Sequence, residues 1–115
     1  MVDSNSNSPY DEIRNEMYSR VETFFGPEGF TTLSNSYVIV VGLGGVGSHA
    51  VHMLVRSGIQ KIRLIDFDQV TLSSLNRHAV ANLADVGISK TEAMRRALLK
   101  IVPWLKIDII TRMFR

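Results

Sequence analysis

Apolar positions near the start of the chain recur every three or four residues, which is the spacing of an amphipathic helix. These positions are Ile13, Met17, Val21 and Phe24. Ser8 suits the N-cap of this helix, Pro9 suits its first position, and Gly26-Pro27 suits its end. We therefore expect a flexible polar tail over residues 1–8, then the helix, and then a short helical turn over residues 28–33.

The next stretch changes to a continuous, β-branched apolar run over Tyr37–Val41, which leads directly into a glycine-rich turn. Such a run predicts a strand that is buried on both faces of a parallel sheet. The segment Val46–Arg56 then returns to helical spacing, and Lys61–Asp66 predicts a second strand. The apolar face expected for that helix consists of Val46, Ala50, Met53 and Leu54. Strand, glycine loop, helix and strand together form a βαβ unit.

The remainder of the chain predicts one more helix and one more strand. Phe67–Ile88 is expected to be mostly irregular because Asn, Ser, Asp and Gly are interspersed through it. Ser89 and Glu92 have capping-box spacing, so a helix should run from Lys90 to about Val102, and Lys106–Thr111 predicts the third strand. The expected fold class is α/β, as the N-terminal half of a Rossmann-like, doubly wound parallel sheet preceded by an N-terminal helix.

An open sheet of this class usually has two halves, with its ligand in the crevice between them. The chain ends at Arg115, just after the third predicted strand. We therefore expect residues 9–115 to be the N-terminal part of a truncated nucleotide-binding domain. The alternative is a complete minimal domain that pairs with another copy or with another subunit.

Composition limits the class of protein. Hydrophobic residues make up 45% of the 115 residues and aromatic residues 8%, as in a globular core. The absence of cysteine excludes disulfides, thiolate metal sites and a cysteine nucleophile within this chain. No apolar run approaches the ~18 residues of a membrane span, and the polar start does not resemble a signal peptide. We expect a cytoplasmic protein.

The formal net charge of +2 is unevenly distributed. Residues 1–35 carry two basic and six acidic side chains, a balance of −4, whereas residues 90–115 carry seven basic and two acidic ones, a balance of +5. Arg95, Arg96 and Lys100 belong to the basic part. They form either a solvated helix face or a surface for a polyanion such as tRNA.

The glycine loop is the first candidate for chemistry. Gly42 permits a tight turn, Gly44 lets the backbone approach a phosphate, and Gly47 allows the helix to pack closely on the strand. The free N–H groups at the start of the following helix suit an anion. Asp66 lies 24 residues after Gly42, near the spacing of an acid that binds ribose hydroxyls. The alternative for Asp66 is a capping or turn role.

The segment after Asp66 helps to separate the possible nucleotides. A reaction at the α-phosphate of ATP requires fixed cations, whereas an NAD site generally binds its diphosphate through backbone N–H groups. Arg77 supplies a planar bidentate donor and Lys90 a compact ammonium, and Asn76 can bridge them to a phosphate oxygen. His78 either contacts the nucleotide or holds the loop. We predict no metal site from the histidines of the first crossover helix, since no third ligand is evident.

Four motifs appear in order along the chain. They are Gly-Leu-Gly-Gly-Val-Gly at 42–47, Ile-Asp-Phe-Asp-Gln-Val at 65–70, Ser-Leu-Asn-Arg at 74–77 and Val-Gly-Ile-Ser-Lys at 86–90. Together they resemble the adenylation domain of the ThiF/MoeB and ubiquitin-activating superfamily, over roughly Arg20 to Thr111. The chain is most similar to the tRNA threonylcarbamoyladenosine dehydratase branch. The cues are Phe25–Gly29, Gly45–Ser48 and Asn76–His78.

The resemblance implies a role for each matching residue. It assigns the ATP-binding loop to Gly42, Gly44, Gly45 and Gly47. It implies that Asp66 binds ribose and that Asn76, Arg77 and Lys90 contact the triphosphate. It assigns catalytic roles to Arg77, Lys90 and Arg20. Arg20 lies near an arginine that, in relatives, reaches the nucleotide of the partner subunit, although Arg20 is equally suited to be a surface residue. The family's magnesium-binding aspartate is expected beyond residue 115.

The resemblance implies ATP-dependent adenylation of a carboxylate, most closely the cyclisation by dehydration of threonylcarbamoyladenosine in tRNA. It implies ATP and Mg²⁺ as cofactors, tRNA as the substrate and a homodimer as the assembly. Three alternatives stay open: activation of a ubiquitin-like or sulfur-carrier protein, an NAD-binding oxidoreductase, and an inactive dimerisation module. Association with the mitochondrial outer membrane, which the resemblance allows in eukaryotic relatives, has no support in this chain.

Overall fold

The computed structural model describes residues 9–112. The elements in chain order are α1 (Asp11–Ser34), β1 (Tyr37–Val41), α2 (Gly45–Arg56), β2 (Lys61–Ile65), α3 (Lys90–Ile101) and β3 (Lys106–Ile110). Two short 3-10 segments, Leu72–Ser74 and Leu83–Asp85, interrupt the otherwise irregular connection between β2 and α3. The ends of the strands and of α2 and α3 differ from the predicted ends by at most one residue. The predicted polar tail and its N-cap Ser8 lie outside the described residues.

The three strands form one parallel sheet in the order β1-β2-β3. At the amino ends of the strands, the register pairs Tyr37 with Lys61 and Lys61 with Lys106. At the carboxyl ends, it pairs Val41 with Ile65 and Ile65 with Ile110, so the carboxyl ends of all three strands lie side by side and form what is here called the carboxyl edge. α2 and α3 are the crossover connections between consecutive strands. The prediction of a Rossmann-like α/β fold with an N-terminal helix is confirmed.

The hydrophobic core lies between one face of this sheet and the two crossover helices. Its buried members are Leu43, Val51, Val55, Ile62, Leu64, Met94, Leu98, Val102 and Leu105. Val51 and Val55 come from α2, and Met94 and Leu98 come from α3. Both helices therefore pack on the face that carries Ile62 and Leu64, because side chains of one strand alternate between the two faces.

The prediction that β1 is buried on both faces is wrong. Tyr37, Ile39 and Val41 are 51%, 52% and 53% exposed, and only the alternate residues Val38 and Val40 pack against the core. The reason is that β1 is an edge strand, and the core-forming helices α2 and α3 cover a single face of the sheet. The uncovered face also carries an ion pair, in which the Arg63 guanidinium lies 3.4 Å from the Asp108 carboxylate.

The apolar face predicted for α2 is also wrong. Val46 and Met53 are 88% and 69% exposed, and Ala50 is exposed as well, whereas Ser48, Val51 and Val55 are buried. Leu54, the fourth predicted residue, is half-buried. The helix therefore turns toward the sheet the face that carries Val51 and Val55. α2 is apolar on two sides, so periodicity alone did not identify the buried one.

The stripe predicted for α1 is only partly buried. Ile13 and Phe24 are exposed, while Met17 and Val21 are half-buried. The anchor of this helix is instead Tyr18, which is buried, contacts Trp104 edge-on, and donates its hydroxyl to the Val55 carbonyl at 3.2 Å. Burial raises the pKa of Tyr18.

The predicted break near the middle of α1 is present. Gly26 has φ +79° and ψ 162°, which are not helical values, although helical residues continue on both sides of it. Pro27 follows directly and suits the first position of a new helical segment. No described helix is long and apolar enough to cross a membrane.

The corrected face of α2 predicts a contrast between two neighbouring positions. Val51→Ala removes two methyl groups from a fully buried site and should lower the free energy of unfolding by about 1.5–3 kcal/mol. Met53→Ala, at an exposed site of the same helix, should change it by less than about 0.5 kcal/mol. Urea unfolding followed by circular dichroism measures both values. A larger loss of stability for Met53→Ala than for Val51→Ala would contradict the observed face and favour the one that periodicity predicted.

Candidate functional site

The glycine loop between β1 and α2 has a conformation that specific glycines make possible. Gly42 has φ +87°, a left-handed value that favours glycine, and its N–H donates to the Ile65 carbonyl at 2.8 Å. A Cβ on Gly47 would lie 1.9 Å from the Gly42 carbonyl oxygen, so only glycine permits the start of α2 to pack on this turn. A Cβ on Gly44 would meet no heavy atom within 4 Å, so the backbone there is open to a ligand.

The first turn of α2 begins beside this open backbone. Its N-cap residue is Gly44, so no side chain caps the helix. The first N–H groups of a helix have no intrahelical partner, and together with the helix dipole they favour an anion. The Cβ position of Gly45 lies 3.5 Å from the Arg77 carbonyl oxygen and from its Cβ, which places the segment containing Arg77 against the loop.

Asp66 connects the glycine loop to the segment after β2. Its carboxylate is buried, with Oδ2 accepting the Leu43 N–H at 2.6 Å and Oδ1 accepting the Asp68 N–H at 2.7 Å. The turn role considered as the alternative is therefore present in the structure. Each carboxylate oxygen accepts one of these bonds and has a second lone pair. Ribose binding by Asp66 stays a prediction that this geometry allows.

Lys90 is brought to the same edge of the sheet by the start of α3. The Ser89 hydroxyl caps the helix by accepting the Glu92 N–H at 3.2 Å, as the capping-box spacing predicts. The Lys90 N–H donates to the Asp68 carbonyl at 2.9 Å, which fixes the helix start beside the end of β2. The side chain of Lys90 is only 13% exposed, and its Nζ lies 3.8 Å from Asp68 Oδ2. A nearly buried ammonium is thus held at the edge of the sheet.

Two adjoining hollows open at this edge. The first, here called the glycine-loop hollow, has a volume of about 440 Å³ and is lined by Val41, Gly42, Gly44, Ile65, Asp66, Phe67, Asp68, Lys90 and Arg112. The second, called the Arg77 hollow, has a volume of about 520 Å³ and is lined by Phe67, Asp68, Gln69, Thr71, Ser74, Arg77 and Lys90. Phe67, Asp68 and Lys90 line both, so the two hollows adjoin each other. Their size falls in the range of small-molecule sites.

Arg77 and Asn76 follow the 3-10 segment that borders the Arg77 hollow. Arg77 Nη1 donates to the Ser73 carbonyl at 3.2 Å and to Asn76 Oδ1 at 3.3 Å, and both residues are exposed. Asn76 therefore contacts Arg77 but lines neither hollow, and its contact with a phosphate stays a prediction. A guanidinium has five N–H donors, so most of those on Arg77 are left for an anion.

His78 holds the next part of the loop rather than facing either hollow. Its ring is buried, and Nδ1 accepts the N–H groups of Val80 at 3.2 Å and Ala81 at 3.0 Å. Since Nδ1 is an acceptor, the proton of the neutral ring is on Nε2, which is buried without a hydrogen-bond partner among the described residues. Burial lowers the pKa of His78, and the charge of Lys90 lowers it further.

Most of the predicted site residues meet at this edge. Gly42, Gly44, Asp66 and Lys90 line the glycine-loop hollow, Lys90 and Arg77 line the second hollow, and Gly45 and Gly47 shape the loop beside them. Arg20 does not join them: it is exposed on α1 and lines neither hollow.

Arg112 is a cation of the site that the sequence analysis missed. It lies two residues after β3 and lines the glycine-loop hollow together with Lys90. The parallel register contained the signal, because the carboxyl end of β3 lies beside that of β2. A basic residue just after the third strand therefore belongs to the same edge as Asp66.

The sequence of this chain is similar to those of proteins of one known family. The model of the ThiF family matches residues 18–115. The tRNA threonylcarbamoyladenosine dehydratase 2 of Saccharomyces cerevisiae is 52% identical over 114 residues, covering 97% of this chain and 25% of the yeast protein. The tRNA threonylcarbamoyladenosine dehydratase of Bacillus subtilis is 42% identical over 97 residues, covering 84% of this chain and 38% of that protein.

A solved structure supports the same relationship. The E. coli tRNA N6-threonylcarbamoyladenosine dehydratase, TcdA, in complex with ATP matches with a TM-score of 0.85 and 28% sequence identity, covering 92% of this chain and 44% of that chain. The chain thus spans between a quarter and somewhat less than half of the length of these relatives.

The glycine loop predicts opposite outcomes for two alanine substitutions. Gly47→Ala should lower the free energy of unfolding by about 1–3 kcal/mol or more, which is the usual cost of overpacking, because its Cβ would overlap the Gly42 carbonyl. Gly44→Ala should cost less than about 0.5 kcal/mol, because its φ of −74° suits any residue and its Cβ position is open. Thermal and urea unfolding measure both. Equal losses would contradict the loop geometry.

The buried His78 predicts a pH dependence of stability. Its pKa is lowered in the folded chain, whereas in the unfolded chain it titrates near about 6.5. The unfolded chain then binds the proton more readily, so the stability is fully present above about pH 6.5 and declines as the pH falls below it. His78→Asn should show a shallower decline in urea midpoints between about pH 7.5 and 5.5. Parallel declines for the two proteins would exclude a titrating role for His78.

Proposed function

Because the chain belongs to the ThiF family, we propose that it binds ATP at the carboxyl edge of its sheet and supports the adenylation of a carboxylate. The observation that carries this proposal is the convergence of an open glycine loop, a buried carboxylate and three cations, Arg77, Lys90 and Arg112, on one pair of adjoining hollows. A hollow lined by Asp66 beside a second lined by Arg77 provides room for a nucleoside next to a chain of phosphates.

The two hollows suggest an orientation for ATP. The ribose hydroxyls are proposed to donate to the free lone pairs of Asp66, with the phosphates over Gly44 and the uncapped start of α2. Lys90, which lines both hollows, is placed to contact phosphates in either of them. Arg77 is placed to bind the far phosphates through two parallel hydrogen bonds.

The proposed reaction balances without further groups from this chain. A carboxylate oxygen attacks the α-phosphorus of ATP, the bond from that phosphorus to the bridging oxygen of the leaving group breaks, and an acyl-adenylate and diphosphate form. Lys90 and Arg77 offset the negative charge that develops on the phosphate oxygens as this happens. Within residues 9–112 no group of three or more histidine, aspartate or glutamate side chains is arranged to hold a metal ion.

We further propose that the carboxylate belongs to threonylcarbamoyladenosine in tRNA. The support is that the yeast and Bacillus relatives and the E. coli structure are all tRNA threonylcarbamoyladenosine dehydratases. In the acyl-adenylate, the carbamoyl oxygen then attacks the activated carbonyl carbon, the bond from that carbon to AMP breaks, and a carbamoyl N–H loses its proton to solvent. This closes a ring and releases AMP. This chain spans at most 44% of the length of those relatives. We therefore propose for it only the binding of ATP and its part in adenylation. A homodimer in which Arg20 reaches the partner's nucleotide stays a proposal.

The role of Arg77 is tested by its effect on ATP affinity. Arg77→Ala removes a charge-assisted phosphate contact and should cost about 1.5–3 kcal/mol of ATP binding, a loss of roughly ten- to over a hundredfold. Isothermal titration calorimetry with the 115-residue chain measures the dissociation constant. Lys61→Ala is the matched control, because Lys61 is exposed at the opposite edge of the sheet and should leave ATP binding unchanged.

The same titration separates this proposal from its main alternative. Saturable ATP binding that is weakened by Arg77→Ala, with no NAD binding, supports an adenylating role. Preferential NAD binding that is insensitive to Arg77→Ala would overturn it and favour an oxidoreductase.

A further inference from the structure

A third concave surface lies between α2, α3 and the loop before the second 3-10 segment, and it shares no lining residue with the two hollows. We call it the basic groove. It has a volume of about 590 Å³ and is lined by His52, Arg56, Ala79, Val80, Asn82, Ala84, Asp85, Ala93, Arg96, Ala97, Lys100 and Ile101. Neither the glycine loop nor its neighbouring cations line it, so the proposed ATP site does not account for this groove.

The walls of the basic groove are cationic on two sides. Arg56 follows His52 by four residues on α2, and Lys100 follows Arg96 by four residues on α3, so each pair lies along one helix face. His52 Nε2 accepts the Arg56 Nε–H at 2.7 Å, which orients the guanidinium and leaves its other N–H groups available. Cationic side chains from α2 and from α3 thus border the groove.

The acidic groups nearby are largely occupied. Asp85 is the one carboxylate in the lining, and its Oδ2 accepts the Asn82 N–H at 2.9 Å. Glu92 lies outside the lining and pairs with Arg96 Nε at 3.0 Å. Within residues 9–112, neither Arg56 nor Lys100 has a carboxylate partner, and both are exposed. With Glu92 counted as the partner of Arg96, the three cations of the lining exceed the two carboxylates by one charge, and the cations without a carboxylate partner are Arg56 and Lys100.

Small side chains make up part of the lining of the basic groove. Ala79, Ala84, Ala93 and Ala97 belong to it. Such side chains let an extended backbone approach closely without displacing large groups. The lining is also held in place at Ala79, whose N–H donates to the buried Ser48 hydroxyl at 3.0 Å. A basic groove that is largely formed before binding suits a polyanion, since ordering it costs little.

From these features we propose that the basic groove binds the phosphate backbone of RNA. The proposal deepens the function given above, and it rests on that function for the identity of the RNA as tRNA. Phosphates would lie between the two helices, with Arg56 on one side and Arg96 and Lys100 on the other. Contacts of this kind position a nucleic acid without reading its sequence.

The test compares two double substitutions that remove the same charge. Arg56→Gln with Lys100→Gln empties the basic groove of its two unpaired cations. Lys61→Gln with Lys106→Gln removes two exposed charges at the opposite edge of the sheet. Fluorescence anisotropy with unmodified tRNA, repeated over a series of salt concentrations, measures the dissociation constants. Calorimetry measures ATP binding by each protein.

We expect the groove variant to bind tRNA roughly 3- to 30-fold more weakly, and the slope of log affinity against log salt to fall by about two. The control variant should retain most of the affinity, and both should bind ATP normally. Equal weakening in the two variants would overturn the proposal, as would the absence of tRNA binding at low salt. So would a groove variant that loses affinity for inorganic phosphate but not for tRNA, since the groove would then hold a small anion.

The two proposals fail in different ways. Groove-dependent tRNA binding by a chain that binds no ATP would refute the adenylation proposal and leave the basic groove as an RNA site. ATP binding sensitive to Arg77→Ala, with tRNA affinity that is indifferent to Arg56 and Lys100, would refute the groove alone.

Discussion

The buried carboxylate of Asp66 is the interaction on which the edge of the sheet depends. By accepting N–H groups from Leu43 and Asp68, it ties the glycine loop to the segment that follows β2. Hydrogen bonds to a carboxylate are stronger than those between neutral groups, and at a nearly buried position the loss of one partner leaves a costly unpaired group. The carbonyl of Asp68 in turn accepts the Lys90 N–H, so one carboxylate indirectly positions the loop and the start of α3.

The same arrangement explains how the loops at the carboxyl ends of the strands are held in place although the hydrophobic core is small. The crossover helices α2 and α3 bury only one face of a three-stranded sheet, so packing alone constrains the carboxyl edge weakly. Specific backbone contacts supply the rest: the close approach of Gly47 to the Gly42 carbonyl and the hydrogen bond from Gly42 to Ile65. The site is therefore defined by hydrogen bonds and by missing Cβ atoms more than by apolar contacts.

The sequence was sufficient to predict the position of a residue where a single physical requirement determined the residue type. Gly42, Gly47 and Asp66 were predicted at their positions because a tight turn, a close packing and a strand-end acid each leave few choices of residue. The buried face of α2 was mispredicted because apolar residues lie on two sides of it. A polar residue, Ser48, belongs to the correct face, since its hydroxyl accepts the Ala79 N–H. No periodicity of apolar residues contains that information.

The exposure of β1 was missed for a related reason. A continuous apolar run is compatible with burial on both faces, and it does not report how many faces the other elements cover. Arg112 was missed because motif matching stops at known positions, whereas the strand register extends to every residue at the carboxyl edge. Three-dimensional adjacency across parallel strands is deducible from a sequence only once the strand order has been assigned.

The connection between the Arg77 hollow and the basic groove is short and firmly held. Arg77 packs on Gly45, the Ala79 N–H is bonded to Ser48, and the ring of His78 holds the two N–H groups that follow. Two of these contacts tie the segment to the first turn of α2, which follows the glycine loop directly. An RNA bound in the groove would therefore be positioned relative to the nucleotide through contacts that both sites share, so the two sites would cooperate by positioning.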